Sequence, residues 1–90
     1  MIAAVIGLGS IGLRHARNLV DLKIDVIGYD PDAAACDKAA TFGAIPASSR
    51  EAAIERADVV VVASPNRFHL DDLKHAIANK RPVYVEKPIG

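Results

Sequence analysis

The stretch that decides the fold is Ile2-Ala3-Ala4-Val5-Ile6-Gly7-Leu8-Gly9-Ser10-Ile11-Gly12. Its first half is an uninterrupted apolar run, which predicts a buried β-strand over Ile2–Ile6. Its second half has the pattern G-x-G-x-x-G and leads into small and apolar residues at helical spacing, which predicts an α-helix over Ile11–Asp21. A strand, a glycine turn and a helix in this order are the opening of a βαβ unit.

The rest of the chain repeats this alternation of short β-branched runs and helical patterns. Further strands are expected at Ile24–Tyr29, around Ala44–Ile45, at Val59–Ala63 and at Val83–Val85. Further helices are expected at Asp32–Thr41, from Ser48 to about Arg56, and from the end of the fourth strand to about Asn79. Strands joined by helical crossovers pair in parallel, and continuous valine and isoleucine runs indicate strands covered on both faces. The expected fold class is therefore α/β, a doubly wound parallel sheet of the Rossmann type with about five strands.

Capping residues predict where the second and third helices begin. Asp30 suits the N-cap of the second helix, because Pro31 is then at a favourable first helical position. Ser48 and Glu51 match a capping box, in which each residue satisfies a free backbone donor of the other. Gly43 is a fitting stop for the second helix.

Composition and charge exclude several classes of function. With 90 residues, 51% of them hydrophobic, the chain suits one small globular domain, residues 1–90, and falls short of a complete two-domain enzyme. Its formal net charge is zero and it has no basic run, so a nucleic-acid surface is not expected. The apolar runs are too short to span a membrane. Met1 leads directly into a strand without the basic region of a signal peptide, so a cytoplasmic setting is expected.

The glycine run predicts a phosphate-binding turn. Gly7 allows the tight turn, Gly9 lets the backbone approach a pyrophosphate, and Gly12 lets the helix pack closely on the sheet. The free N–H groups at the start of the helix, at Ser10 and Ile11, and the helix dipole favour anionic phosphates. The alternative is a glycine-rich turn without a ligand, which the entropic cost of ordering glycines disfavours.

Asp30 lies at the end of the second strand, about twenty residues beyond the glycine run. An acidic side chain at this point accepts hydrogen bonds from the adenosine ribose hydroxyls of a dinucleotide. Its charge would repel a 2′-phosphate, so NAD is expected rather than NADP. The alternative is that Asp30 only caps the helix that begins at Pro31, although the two roles can coexist. No arginine near Asp30 in the sequence offers an obvious partner for a 2′-phosphate, and Arg50 is the nearest one downstream.

Two further motifs follow predicted strands, where ligands of doubly wound sheets bind. Ser64–His69 (SPNRFH) follows the fourth strand, and Glu86–Pro88 (EKP) follows the last one. Together with Gly7–Gly12 (GLGSIG), these motifs resemble the N-terminal domain of the Gfo/Idh/MocA oxidoreductase family. The resemblance covers essentially the whole chain, and the EKP ending is its most specific part.

The resemblance implies roles for residues in these motifs. Ser64, Pro65, Asn66 and His69 would line the cofactor, and Glu86 would help to place the ribose and the lysine. Lys87 would lie beside the nicotinamide and take part in catalysis. A lysine can accept the proton of a carbinol oxygen when burial or a nearby positive charge lowers its pKa. It can also donate a hydrogen bond that polarises the substrate oxygen. The alternative is a solvated lysine in a turn.

The leading functional interpretation is the nucleotide-binding part of an NAD-dependent oxidoreductase. The resemblance implies hydride transfer to or from a sugar, a polyol or a related small molecule, and a second domain for the substrate that is expected to be absent from this chain. One alternative is a non-catalytic module that binds or senses a dinucleotide. Another is part of an NAD-dependent glycosidase. A homo-oligomer is expected. No metal site is expected, because the histidines and Cys36 show no metal-ligand spacing, and Cys36 is interpreted as a packing residue.

Overall fold

The computed structural model describes residues 1–63 and 82–85. In this part of the chain the strands are β1 (Ile2–Ile6), β2 (Asp25–Tyr29), β3 (Ile45–Pro46), β4 (Val59–Val62) and β5 (Val83–Val85). The helices are α1 (Ser10–Asp21), α2 (Ala33–Ala40) and α3 (Arg50–Arg56). The helix expected between the fourth and last strands lies outside the described residues. The other elements match the predicted ones, with ends that differ by a few residues at most.

The strands form a five-stranded sheet in the order β3-β2-β1-β4-β5, and every neighbouring pair is parallel. The chain moves outward in one direction from β1 to β3 and then returns to the other side of β1 with β4. The topological switch point therefore lies between β1 and β4. This arrangement confirms the predicted doubly wound Rossmann-type sheet.

Apolar side chains pack on both faces of the sheet, as the continuous valine and isoleucine runs predicted. One face packs against α3, and its buried residues are Ala4, Ile6, Ile27, Ala53, Ile54, Ala57, Val60 and Val62. The other face packs against α1 and α2, and its buried residues are Val5, Leu8, Ala16, Val26, Ala39, Ala44 and Val61. Successive residues of β1 alternate between the two faces because side chains alternate along a strand. Burial of both faces holds β1 at the centre of the molecule.

The prediction that Asp30 is the N-cap of the second helix is wrong, because the N-cap lies two residues later. Asp32 is the N-cap of α2, and its side chain accepts a hydrogen bond from the backbone N–H of Ala34 at 3.0 Å. The carboxylate of Asp30 instead accepts hydrogen bonds from the backbone N–H groups of Leu8 and Asp32. Because Asp30 is engaged in this turn, Pro31 precedes the helix.

The third helix begins one residue later than predicted, and the capping box of Ser48 and Glu51 is wrong. Ser49 is the N-cap, and its side chain accepts a hydrogen bond from the N–H of Ala52 at 3.0 Å. The backbone N–H of Ala47 still bonds to the Gly28 carbonyl oxygen, which extends the pairing with β2 beyond Pro46. The chain therefore turns into the helix only after Ser48.

Helices α1 and α2 both end in a Schellman motif. At the end of α1, the N–H groups of Lys23 and Ile24 bond to the carbonyl oxygens of Val20 and Leu19. The motif needs one residue with a positive φ, and α2 uses Gly43 (φ 111°) in that place, as predicted. Helix α1 uses Lys23 (φ 66°), the only described residue other than glycine with a positive φ. Within the described residues, no helix has the length and apolar character that crossing a membrane requires.

Candidate functional site

The connections that leave four of the strands begin at the same edge of the sheet. Ile6 is level with Tyr29 on one side and with Val62 on the other, and Val62 is level with Val85. The glycine loop, the turn after β2 and the chain that follows β4 and β5 therefore start side by side. This carboxyl edge, at the switch point, is where open α/β sheets bind their ligands.

The glycine loop turns sharply at Gly7 and opens at Gly9. Gly7 has a φ of 95°, and its N–H donates a hydrogen bond to the Tyr29 carbonyl oxygen at 2.8 Å. Gly9 is the N-cap of α1 with extended backbone angles that any residue can adopt. A Cβ atom on Gly9 would meet no atom of the described residues within 4 Å, apart from its two chain neighbours. In the described part of the chain, the missing side chain of Gly9 therefore leaves open space in front of the backbone.

Gly12 is required for the packing of the loop itself. A Cβ atom on Gly12 would collide with the carbonyl oxygen of Gly7 and would lie 2.8 Å from its carbonyl carbon. The next nearest atom is the Cβ of Ala63, at 3.5 Å, just beyond the end of β4. Gly12 therefore lets the helix lie close to the sheet, as predicted, and also close to the backbone of Gly7 in the preceding turn.

The N-terminus of α1 has no negative charge of its own. Its first turn contains no acidic residue, and its N-cap, Gly9, offers no side-chain acceptor. The first N–H groups of a helix have no partner within the helix, and the dipole makes this end positive. Ser10 is exposed and Ile11 is half-buried, so this end is accessible. These features fit the anionic pyrophosphate of a dinucleotide.

Asp30 lies beside the glycine loop. One carboxylate oxygen accepts a hydrogen bond from the N–H of Leu8 at 2.7 Å, and the other accepts one from the N–H of Asp32 at 2.8 Å. Asp30 is half-buried, and each carboxylate oxygen has a further lone-pair direction for a ribose hydroxyl. The structure thus gives Asp30 a contact with the loop that the sequence did not predict.

Two residues of this site were not predicted from the sequence. Leu8, between two glycines of the loop, is only 1% exposed. Gly28 in β2 makes room for it, because a Cβ atom on Gly28 would lie 3.1 Å from Leu8 Cδ1. A glycine inside a β-branched strand pattern is a signal of close approach, and it could have identified Gly28.

Other predicted residues occupy ordinary positions. The Cys36 thiol donates a weak hydrogen bond to the Asp30 carbonyl oxygen at 3.3 Å and packs against the core on the α1 and α2 face. His15 is half-buried in α1. Arg50 begins α3, and its guanidinium lies 3.5 Å from the Glu51 carboxylate. Among residues 1–63 and 82–85, no three histidine, cysteine or acidic side chains are grouped as metal ligands would be.

The remaining predicted site residues lie outside the described part of the chain. They are Ser64, Pro65, Asn66, His69, Glu86 and Lys87. The strands that precede them, β4 and β5, do end at the carboxyl edge. Their roles in binding and catalysis remain predictions.

Comparison with known proteins shows which family the chain matches. The family model Gfo/Idh/MocA, described as an oxidoreductase family with an NAD-binding Rossmann fold, matches residues 1–90. Among curated proteins, a ketol-acid reductoisomerase (NADP(+)) of Psychrobacter arcticus is 36% identical over 66 residues. That match covers 72% of this chain and 19% of the reductoisomerase.

Solved structures with the same fold cover nearly all of the chain. A probable dehydrogenase from Thermotoga maritima superposes with a TM-score of 0.83 at 28% identity, over 98% of this chain and 28% of that one. A UDP-N-acetylglucosamine 3-dehydrogenase from Acidithiobacillus ferrooxidans superposes with a TM-score of 0.83 at 24% identity, over 98% of this chain and 30% of that one. The chain thus spans less than a third of the length of each of these proteins.

Proposed function

Because the chain belongs to the Gfo/Idh/MocA oxidoreductase family, we propose that it is the nucleotide-binding part of an NAD-dependent oxidoreductase. The proposed reaction is hydride transfer to or from a sugar, a polyol or a related small molecule. A second domain, outside these 90 residues, would complete the substrate site. The similarity of the fold to a UDP-N-acetylglucosamine 3-dehydrogenase is compatible with a sugar-like substrate.

The observation that carries the proposal is the accessible N-terminus of α1, whose first turn has no acidic residue, beside the Asp30 carboxylate. Gly9 leaves space in front of the helix N-terminus, and the first turn provides no competing acidic group. Asp30 is tied to the same loop by its hydrogen bond from Leu8 N–H. The N–H donors suited to a phosphate and a carboxylate acceptor suited to ribose hydroxyls therefore lie next to each other, as one dinucleotide requires.

We further propose a preference for NAD over NADP. Asp30 and the exposed Asp32 place two carboxylates at the end of β2, which would repel the 2′-phosphate of NADP. The reductoisomerase relative carries NADP(+) in its name, so the preference of this chain rests on its own residues.

The chemical roles are assigned to residues at the carboxyl edge. Gly7, Gly9, Ser10, Ile11 and Gly12 would hold the pyrophosphate, and Asp30 the adenosine ribose. The residues Ser64, Pro65, Asn66, His69 and Glu86 would line the rest of the cofactor. When bound, the nicotinamide supplies the hydride acceptor or donor. Lys87 would hold or remove the proton at the substrate oxygen.

The test is a calorimetric titration of the chain with NAD and with NADP, repeated on Asp30→Asn. Asp25→Asn is the matched control, because Asp25 is an exposed aspartate at the opposite end of the same strand. We expect NAD to bind more tightly than NADP, and Asp30→Asn to reduce that ratio by about tenfold or more. Asp25→Asn should leave the ratio unchanged. Equal binding of both nucleotides by the unmodified chain would contradict the proposed preference.

A further inference from the structure

Leu8 is a buried apolar residue between two glycines of the loop. It is 1% exposed and belongs to the core on the α1 and α2 face, together with Val5 and Val26. Its neighbours Gly7 and Gly9 form the turn and the open entrance of the candidate site. The side chain therefore connects the phosphate-binding backbone directly to the core.

Among the described residues, three contacts tie this part of the loop to β2 or to the residue after it. The Gly7 N–H bonds to the Tyr29 carbonyl oxygen at 2.8 Å. The Leu8 N–H bonds to the Asp30 carboxylate at 2.7 Å. The Leu8 side chain packs over Gly28, where a Cβ atom would lie 3.1 Å from Cδ1 and 3.4 Å from Cδ2.

We infer that Leu8 is a positioning residue, which uses the space over Gly28 and the Asp30 carboxylate to set the glycine loop in its binding shape before nucleotide arrives. The inference rests on the proposed dinucleotide function. Glycine-rich backbone loses more freedom on ordering than any other sequence. A loop ordered in advance by its own contacts therefore binds its ligand more tightly.

The Gly28 position allows a sharp steric test. No positive φ is required there, so an alanine fits the backbone of β2. Its Cβ would require the end of the Leu8 side chain to move by a few tenths of an ångström. Because Leu8 is only 1% exposed, its buried neighbours resist that movement, and we expect the loop to shift with it. A shorter side chain at Leu8 should restore the room that Gly28→Ala removes.

The experiment compares Gly28→Ala, Leu8→Val and the double variant by titration with NAD and with ADP-ribose. We expect Gly28→Ala to weaken binding of both ligands by about tenfold, because the distorted loop meets the pyrophosphate that they share. The double variant should recover most of the lost affinity. Ile54→Val is the control, since Ile54 is buried on the opposite face of the sheet and does not belong to the Leu8 cluster. It should lower stability without changing either dissociation constant.

A second measurement, hydrogen exchange at the Leu8 amide without ligand, separates this inference from the proposed function. Strong protection in the unmodified chain, lost in Gly28→Ala and retained in Ile54→Val, supports the preset loop. Unprotected Leu8 exchange, or wild-type affinity in Gly28→Ala, overturns it. If the unmodified chain binds neither ligand, the proposed function fails, and the exchange result alone decides whether Leu8 sets the loop.

Discussion

Gly9 and Gly12 lie three residues apart in the same motif, but they lack a side chain for different reasons. A Cβ atom on Gly9 would contact none of the described residues beyond its chain neighbours, whereas a Cβ atom on Gly12 would collide with the carbonyl group of Gly7. The fold alone therefore requires a residue without a side chain at Gly12. No described residue requires glycine at position 9, and a bound pyrophosphate would supply such a requirement.

This difference predicts opposite outcomes for two alanine substitutions. Gly9→Ala should lower the free energy of unfolding by less than about 1 kcal/mol but weaken NAD binding by about tenfold or more. Gly12→Ala should lower the free energy of unfolding by about 3 kcal/mol or more, because backbone atoms cannot yield to the new Cβ. Urea unfolding and calorimetry measure both effects. Wild-type NAD affinity in Gly9→Ala would refute the assignment of the open space to the ligand.

Lys23 is the residue whose backbone is least suited to its side chain. It takes the left-handed position of the Schellman motif after α1, where α2 has Gly43. Lys23→Gly should therefore raise the free energy of unfolding by about 0.5–1 kcal/mol. Lys38→Gly is the control, because Lys38 lies within α2 and its replacement should cost about 1 kcal/mol. Urea denaturation of the two variants checks the prediction, and a less stable Lys23→Gly would contradict it.

At the residue scale, the sequence predicted the residues whose role depends on local backbone, such as Gly7 and Gly43. It missed the partnership of Leu8 with Gly28 and Asp30. That contact joins residues about twenty positions apart, and it depends on the register of β1 and β2. A single sequence contains no measure of such a register.

At the scale of elements, the apolar runs predicted every described strand, and the errors concern where helices begin. The order Asp30-Pro31 predicts a cap at Asp30, but the Asp30 carboxylate accepts hydrogen bonds from the N–H groups of Leu8 and Asp32 instead. Ser48 and Ser49 are adjacent hydroxyl residues, and either can cap a helix. Pairing of Ala47 with Gly28 decides between them, and that is a tertiary contact.

The choice between the two serines is testable. Ser49→Ala should lower the free energy of unfolding by about 1 kcal/mol, because the Ala52 N–H loses its acceptor. Ser48→Ala is the matched control, since Ser48 is exposed and should tolerate the change within about 0.5 kcal/mol. Thermal and urea unfolding of both variants measure the difference. A larger loss of stability for Ser48→Ala than for Ser49→Ala would contradict the cap at Ser49 and favour the capping box of Ser48 and Glu51.

At the scale of the whole molecule, the order of strands follows from general rules. Right-handed crossovers and two buried faces leave few topologies for alternating strands and helices, and the observed order is one of them. The two outer strands differ. Strand β3 has two residues and includes Pro46, so it is poorly suited to further pairing. Strand β5 has three residues and no proline.

We therefore predict that the chain self-associates through β5, in keeping with the expected homo-oligomer. The sedimentation coefficient should rise with protein concentration. Tyr84→Lys should reduce this association, because a lysine on an outer strand opposes edge-to-edge pairing. Ile45→Lys, at the opposite edge, should leave it unchanged. A constant monomer at high concentration would refute the prediction.

The most direct test of the central claim is to map where NAD binds, by following the backbone amide resonances of the chain during a titration. We expect concerted shifts at Gly7–Gly12 and at Asp30, which share the carboxyl edge of the sheet. Asp25 and Asp58 lie at the other ends of β2 and β4, and their amides should stay unchanged. Shifts confined to that opposite edge, or no shifts at saturating NAD, would refute binding of NAD at the glycine loop.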